Sequence, residues 1–151
     1  MSEHIHLERE QGLLTLRMDR EDKKNALTRA MYGALADALD AADEDRSVRA
    51  VLITGSETCF TSGNDVADFI QAPPSGLDSE VFRFMKALFD FSKPVVAAVS
   101  GPAVGIGTTL LLIFLVYLIV AVLSIARFDS KRTHTEYATE TGMWIEAETG
   151  A

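Results

Sequence analysis

Two short turns carry most of the chemistry that this chain can offer. One is Ser62-Gly63-Asn64-Asp65 and the other is Gly105-Ile106-Gly107. Each follows an apolar run and opens toward a helical pattern. A strand that hands glycine-containing backbone to a helix start leaves main-chain N–H groups unpaired, at the positive end of the helix dipole. Such a patch binds a phosphate, a carboxylate or a developing oxyanion. The titratable side chains are scattered by comparison. His4 and His6 share one face of a terminal strand, a spacing that two metal ligands could use, but no third ligand lies nearby and no metal site is assigned. Asp43-Glu44-Asp45 reads as a solvated helix end. The single cysteine, Cys59, excludes an internal disulfide and fits a reducing compartment.

The elements that must position these turns are legible in order. Ile5 and Leu7, then Leu14, Leu16 and Met18, alternate on either side of Gln11-Gly12 and predict a hairpin. Thr28 is a candidate cap for a helix whose Met31, Leu35, Leu39 and Ala42 recur at helical spacing. Arg49 to Thr54 predicts a buried strand, and a short helix is expected over Asp65 to Phe69. Ser79 to Phe91 predicts a helix with apolar residues around much of its surface, hence one that is largely buried. Val95 to Val99 predicts a strand covered on both faces, followed by a helix starting near Thr108. Strands alternating with helices predict an α/β layered fold with parallel crossovers. Ligands in such folds gather at the carboxyl ends of the strands, where both glycine turns lie.

Composition bounds the partners. A chain of 151 residues, 48% hydrophobic and 24% charged, is expected to form one domain with a real core. A net charge of −8 argues against a nucleic-acid partner. The polar, acidic start MSEHIHLEREQ does not read as a targeting peptide. From Pro94 to Ala126 there is no charged residue, and Leu110 to Ile125 is almost wholly apolar, at the lower edge of the ~20 residues that span a bilayer.

Three segments together carry a family resemblance: DREDKKNALTRAMYGALADAL, VRAVLITGSETCFTSGNDVADF and KPVVAAVSGPAVGIGTTLLL. In order and spacing they resemble the crotonase superfamily of enoyl-CoA hydratases and isomerases, over about Ile5 to Leu112. The resemblance implies a spiral of ββα units, an acyl-CoA thioester as substrate, and assembly as homo-trimers or hexamers. Coenzyme A enters as part of the substrate, and no separate cofactor is implied. By motif position the thioester oxygen would sit between the backbone N–H groups of Asn64 and Ile106. The flanking backbone of Ser62, Gly63, Asp65, Val66 and Gly105 would line the substrate. Lys24, Ala26 and Leu27 would lie along the CoA nucleotide, with Ala26 and Leu27 contributing mostly backbone. Since the donors are main-chain groups, side-chain identity at 64 is expected to matter little. CoA chemistry would place this part of the chain in the cytoplasm.

The departures from the family pattern are as specific as the matches. Where two-glutamate hydratases carry their first glutamate, three residues after the second donor, this chain has Thr109. Thr cannot serve as a general base near neutral pH. That favours isomerase-like chemistry, or an inactive homologue acting as a membrane-tethered or assembly protein. The crotonase-like core is assigned to residues 1–112, about half a typical family domain and in that sense a truncated one. A divergent apolar segment occupies 113–128 and a polar tail 129–151. Residues 110–126 have three readings: a rearranged family segment, a membrane anchor flanked by Arg127, Lys131 and Arg132, or a buried helix and strand. In the tail, Glu136 and Glu140 are the only nearby carboxylates that could replace the missing acid. They and His134 read first as solvated residues.

Overall fold

A computed structural model describes residues 2–109 together with Leu112, Leu115, Ile119, Val120, Val122 and Leu123. The chain divides into two compact units, Met1–Phe114 and Leu115–Ala151. In the first, strands β1 (Ile5–Glu10) and β2 (Leu13–Met18) form the expected hairpin, turned by Gln11 and Gly12 at positive φ. Helix α1 (Arg29–Glu44) follows, capped by Thr28, whose side-chain oxygen accepts from the Met31 amide. Then come β3 (Ala50–Thr54), α2 (Val66–Gln71), α3 (Glu80–Asp90) and β4 (Val95–Ala98). The four strands lie in the order β1-β2-β3-β4, antiparallel at the hairpin and parallel thereafter. The expected α/β layering with parallel crossovers is therefore present.

Register explains which residues form the core. Leu14, Val51 and Val95 sit side by side, as do Leu16, Ile53 and Ala97, and these rows face the helices. Tyr32, Leu35 and Leu39 of α1 and Phe84 of α3 close over them with almost no exposure. Lys93 fastens the far end, its ammonium donating to the carbonyls of Ala42 and Asp45 where α1 runs out.

Two expectations of burial need correction. Among the described residues helices cover the sheet on one face only, so β4 alternates half-buried and exposed residues instead of being covered on both; Val96 is 56% exposed. Helix α3 is amphipathic rather than largely buried. Phe84, Ala87 and Leu88 face α1, whereas Phe82 is 48% exposed. Its apolar residues outnumber the positions that one neighbouring helix can cover. The helix expected after β4 is present, opening at Ile106.

In the second unit, Leu115, Ile119, Val120, Val122 and Leu123 are helical and half exposed. No helix of the described residues is long and apolar enough to cross a membrane. Most of the apolar run at 110–125, its basic flank and the tail carrying His134, Glu136 and Glu140 lie outside the described residues.

Candidate functional site

The two turns singled out by their residue types meet in space. Three extended segments lie side by side there, joined by isolated parallel bridges between Leu27 and Asn64 and between Thr61 and Ala103. The first bridge is made by the Leu27 amide on the Gly63 carbonyl, 2.8 Å, and the Asp65 amide on the Leu27 carbonyl, 2.8 Å. The second uses the Thr61 amide on the Pro102 carbonyl, 3.2 Å, and the Val104 amide on the Thr61 carbonyl, 2.9 Å. In a parallel bridge the residue whose neighbours make the bonds turns its own N–H to the opposite side. Asn64 is that residue, so its N–H faces away from Leu27. Among the described residues neither the Asn64 amide nor the Ile106 amide makes a hydrogen bond.

Close approach of the two turns depends on glycine. Gly63 has φ +96°, and a Cβ placed on it would lie 3.2 Å from the Val104 carbonyl oxygen. A Cβ on Gly105 would lie 3.8 Å from the Gly63 Cα. Ile106 opens the helical turn at residues 106–109, where its N–H is one of the donors that a helix start leaves unpaired. Gly107 packs against the first turn from below, since a Cβ there would come within 2.6 Å of Thr61 Cγ2.

Several side chains brace this arrangement, and of these only Asp65 and Asn64 were expected at the site, for their backbone. Asn25, fully buried with φ +52°, donates to the Cys59 carbonyl and accepts from the Arg20 amide. Its carbonyl accepts from the buried Thr61 hydroxyl, which in turn receives the Gly63 amide. Arg20 bonds the Ala26 carbonyl and pairs with Asp65 at 2.7 Å, both side chains about 15% exposed or less. Arg29 pairs with Asp68 in the same way. Asp65 caps α2 through the Asp68 amide; that bond and the Arg20 guanidinium hold its carboxyl below the usual carboxylate range. Burial alone would raise Asp68, but the Arg29 amide and guanidinium outweigh it, and the carboxyl is lowered. The Tyr32 hydroxyl donates to Asn64 Oδ1 at 2.6 Å, and burial pushes its pKa upward. The available signal for Tyr32 was its place in the apolar stripe of α1, where a buried phenol requires a partner.

The expected site residues divide into two groups. Asn64, Ile106, Gly63 and Gly105 come together in the paired turns, and Leu27 is bonded to them directly. Ser62 joins through its amide to the Lys24 carbonyl, 2.9 Å. Lys24 is exposed at φ +51° with its carbonyl turned inward, and Ala26 is held by Arg20. Val66 points to solvent, 69% exposed. Thr109 is exposed, its hydroxyl 3.5 Å from the Gly105 carbonyl. His4 and His6 both lie against Asp19, through its carbonyl and carboxylate respectively. No cluster of three or more His, Cys, Asp or Glu among the described residues is placed to hold a metal.

Comparison with known proteins fits this geometry. The enoyl-CoA hydratase/isomerase family profile matches residues 8–125. Human enoyl-CoA delta isomerase 2 is 39% identical over 112 residues, covering 70% of this chain and 28% of its own length. The 1,2-epoxyphenylacetyl-CoA isomerase of Escherichia coli K12 is 34% identical over 119 residues, 74% of this chain and 45% of its own. Among solved structures, Pseudomonas aeruginosa OdaA superposes with a TM-score of 0.71 at 68% identity, over 74% of this chain and 45% of that one. An enoyl-CoA hydratase/isomerase from Pseudoalteromonas atlantica T6c gives 0.68 at 41% identity, over 73% and 44%. The chain thus spans less than half the length of each of these relatives. Its mixed α/β architecture is the crotonase fold over the part they share, and the chain belongs to the enoyl-CoA hydratase/isomerase family of the crotonase superfamily.

Proposed function

We propose that this chain binds an acyl-CoA thioester and holds its carbonyl oxygen between the main-chain N–H groups of Asn64 and Ile106. The observation that carries the reading is the pair of unbonded amides on two turns packed glycine to glycine. Removing a proton next to a thioester, or adding to its conjugated double bond, moves negative charge onto that oxygen. Two fixed donors stabilise the charge without reorganising, and removing one such donor costs about 10²–10³ in rate in comparable sites. The helical turn beginning at Ile106 adds a favourable dipole. Lys24, Ala26 and Leu27 form the adjacent wall for the CoA nucleotide, with Ser62, Asp65 and Val66 flanking the first donor and Gly105 the second. The relatives named for acyl-CoA isomerisation support this substrate class. Trimeric or hexameric assembly and a cytoplasmic setting follow from the same family reading.

Thr109 favours isomerase-like chemistry over two-glutamate hydration, because an alcohol is far too weak a base to take a proton from water near neutral pH. The same observation supports a second reading, binding without turnover. Titration calorimetry of the full chain with crotonyl-CoA tests the site. Saturable binding is expected, and no heat at millimolar ligand defeats the proposal. Asn64→Pro removes one donor that the fold itself does not use. It should lower thioester affinity or turnover about 10²-fold in protein that still melts cooperatively. Proton exchange alpha to the thioester, followed by NMR in deuterated buffer, separates the isomerase-like reading from binding alone.

A further inference from the structure

We infer that Tyr32 is a positioning residue of this site, fixing the Gly63–Asn64 peptide through its hydroxyl. The inference rests on the acyl-CoA reading and deepens it. The donor N–H of Asn64 belongs to a peptide plane whose preceding residue, Gly63, has no side chain to brace it and sits at φ +96°. Within the plane only the Gly63 carbonyl is bonded, accepting from the Leu27 amide at 2.8 Å, while the peptides on either side are held by the Gly63 amide on Thr61 Oγ1 and the Asp65 amide on the Leu27 carbonyl. What those bonds leave is rocking of this one plane, which swings the opposite N–H through an arc. The bond from Tyr32 to Asn64 Oδ1, 2.6 Å, supplies a second point of attachment. Its far end is rigid. Tyr32 has no exposed surface, and its ring is held by Phe84 at 5.7 Å and Phe69 at 6.3 Å between centroids. Asn64 itself is exposed, and among the described residues this is its side chain's one hydrogen bond. A family site that uses only main-chain donors is thereby tuned by two side chains, one of them on α1.

Crotonyl-CoA carrying 13C at the thioester carbonyl is the probe, bound to the full chain and read by the 13C chemical shift and the C=O stretching frequency. Polarisation by the site should move both in the wild type. Tyr32→Phe keeps the ring packing and should bind within about threefold of wild type while losing roughly half of the carbonyl shift. Asn64→Ala, which breaks the same bond from the exposed side, should lose the same amount. The double variant should lose no more than either single one. A role confined to stability would lower the melting temperature and leave the carbonyl signature of folded protein unchanged. That result in both variants overturns the inference and leaves the acyl-CoA site standing. Binding without any carbonyl shift in the wild type overturns the oxyanion reading, and the inference with it. If Tyr32→Phe does not fold, Asn64→Ala alone decides.

Discussion

At the scale of single residues, Asn64 joins two roles that pull on different parts of it. Its main-chain N–H is offered outward, while its side chain serves a buried phenol. Losing the two partners of the Tyr32–Asn64 bond should therefore not cost the same. Asn64→Ala strands the Tyr32 hydroxyl inside the protein, and a buried unpaired donor costs about 1–3 kcal/mol. Tyr32→Phe leaves an amide oxygen at an exposed position that water can reach, and should cost about 1 kcal/mol or less. Urea unfolding of both variants checks the order. Equal losses, or a larger loss for Tyr32→Phe, would contradict it. The two donor positions were legible from SGNDV and GIG, because glycine at a tight turn announces where backbone comes close. Arg20, Asn25 and Thr61 were not. They lie in a charged loop and a short bridged segment, and each also contacts a segment more than thirty residues away, which no local pattern announces.

At the scale of elements, helical and strand periodicity gave the hairpin, α1 and β3 correctly because each buries one continuous apolar face. It overstated α3 and β4, since periodicity counts apolar residues and does not reveal how many neighbours are present to cover them. Truncations should follow the observed burial. Leu39→Ala in α1, where Leu39 is fully buried, should cost about 2–5 kcal/mol, whereas Phe82→Ala in α3 should cost no more than about 1 kcal/mol. Gly107→Ala tests the contact between the last helical turn and the first site loop. Thr61 cannot rotate away from an added methyl without giving up its 2.7 Å bond to the Asn25 carbonyl, so overpacking should cost about 1–3 kcal/mol. Thermal melts of the three variants rank them directly. A neutral Gly107→Ala would mean that the turn and Thr61 are not in close contact.

At the scale of the whole molecule, the described part of the chain is fastened by carboxylates. Asp43 is lowered by hydrogen bonds from the Ser92 hydroxyl and amide. Asp45 is lowered to about 2 by Ser47 and then Arg9, while Asp65 and Asp68 are lowered at the site. Each is more acidic folded than unfolded, so the unfolded chain binds more protons as pH falls below the ordinary carboxylate value of 3.8. Their stabilisation is fully present above that value and is lost as pH falls below it, for Asp45 down to about pH 2. The melting temperature should be nearly flat from pH 7 to 5 and fall steeply below pH 4. Asp45→Asn should shrink that fall, and an unchanged acid limb would remove Asp45 from the set.

The three bridged segments also act as a ruler. Along an extended chain successive N–H groups point to alternate sides, and counting three residues on from Thr61 would aim the Asn64 amide at Leu27; Gly63 at positive φ breaks the alternation and turns it away. Thr61 spends its amide and carbonyl on the segment around Ala103, and Asn64, three residues on, is bridged to Leu27 with a positive-φ glycine between them. Adding or removing one residue between 61 and 64 would move that glycine out of its place between the two bridges and re-aim the amide that follows it. Relatives that preserve this site should therefore keep the interval constant, and where they keep the α1 tyrosine they should keep a side-chain acceptor after the glycine. Length polymorphism in this neighbourhood should collect in the QAPPSG stretch after α2, where no bridge does any counting.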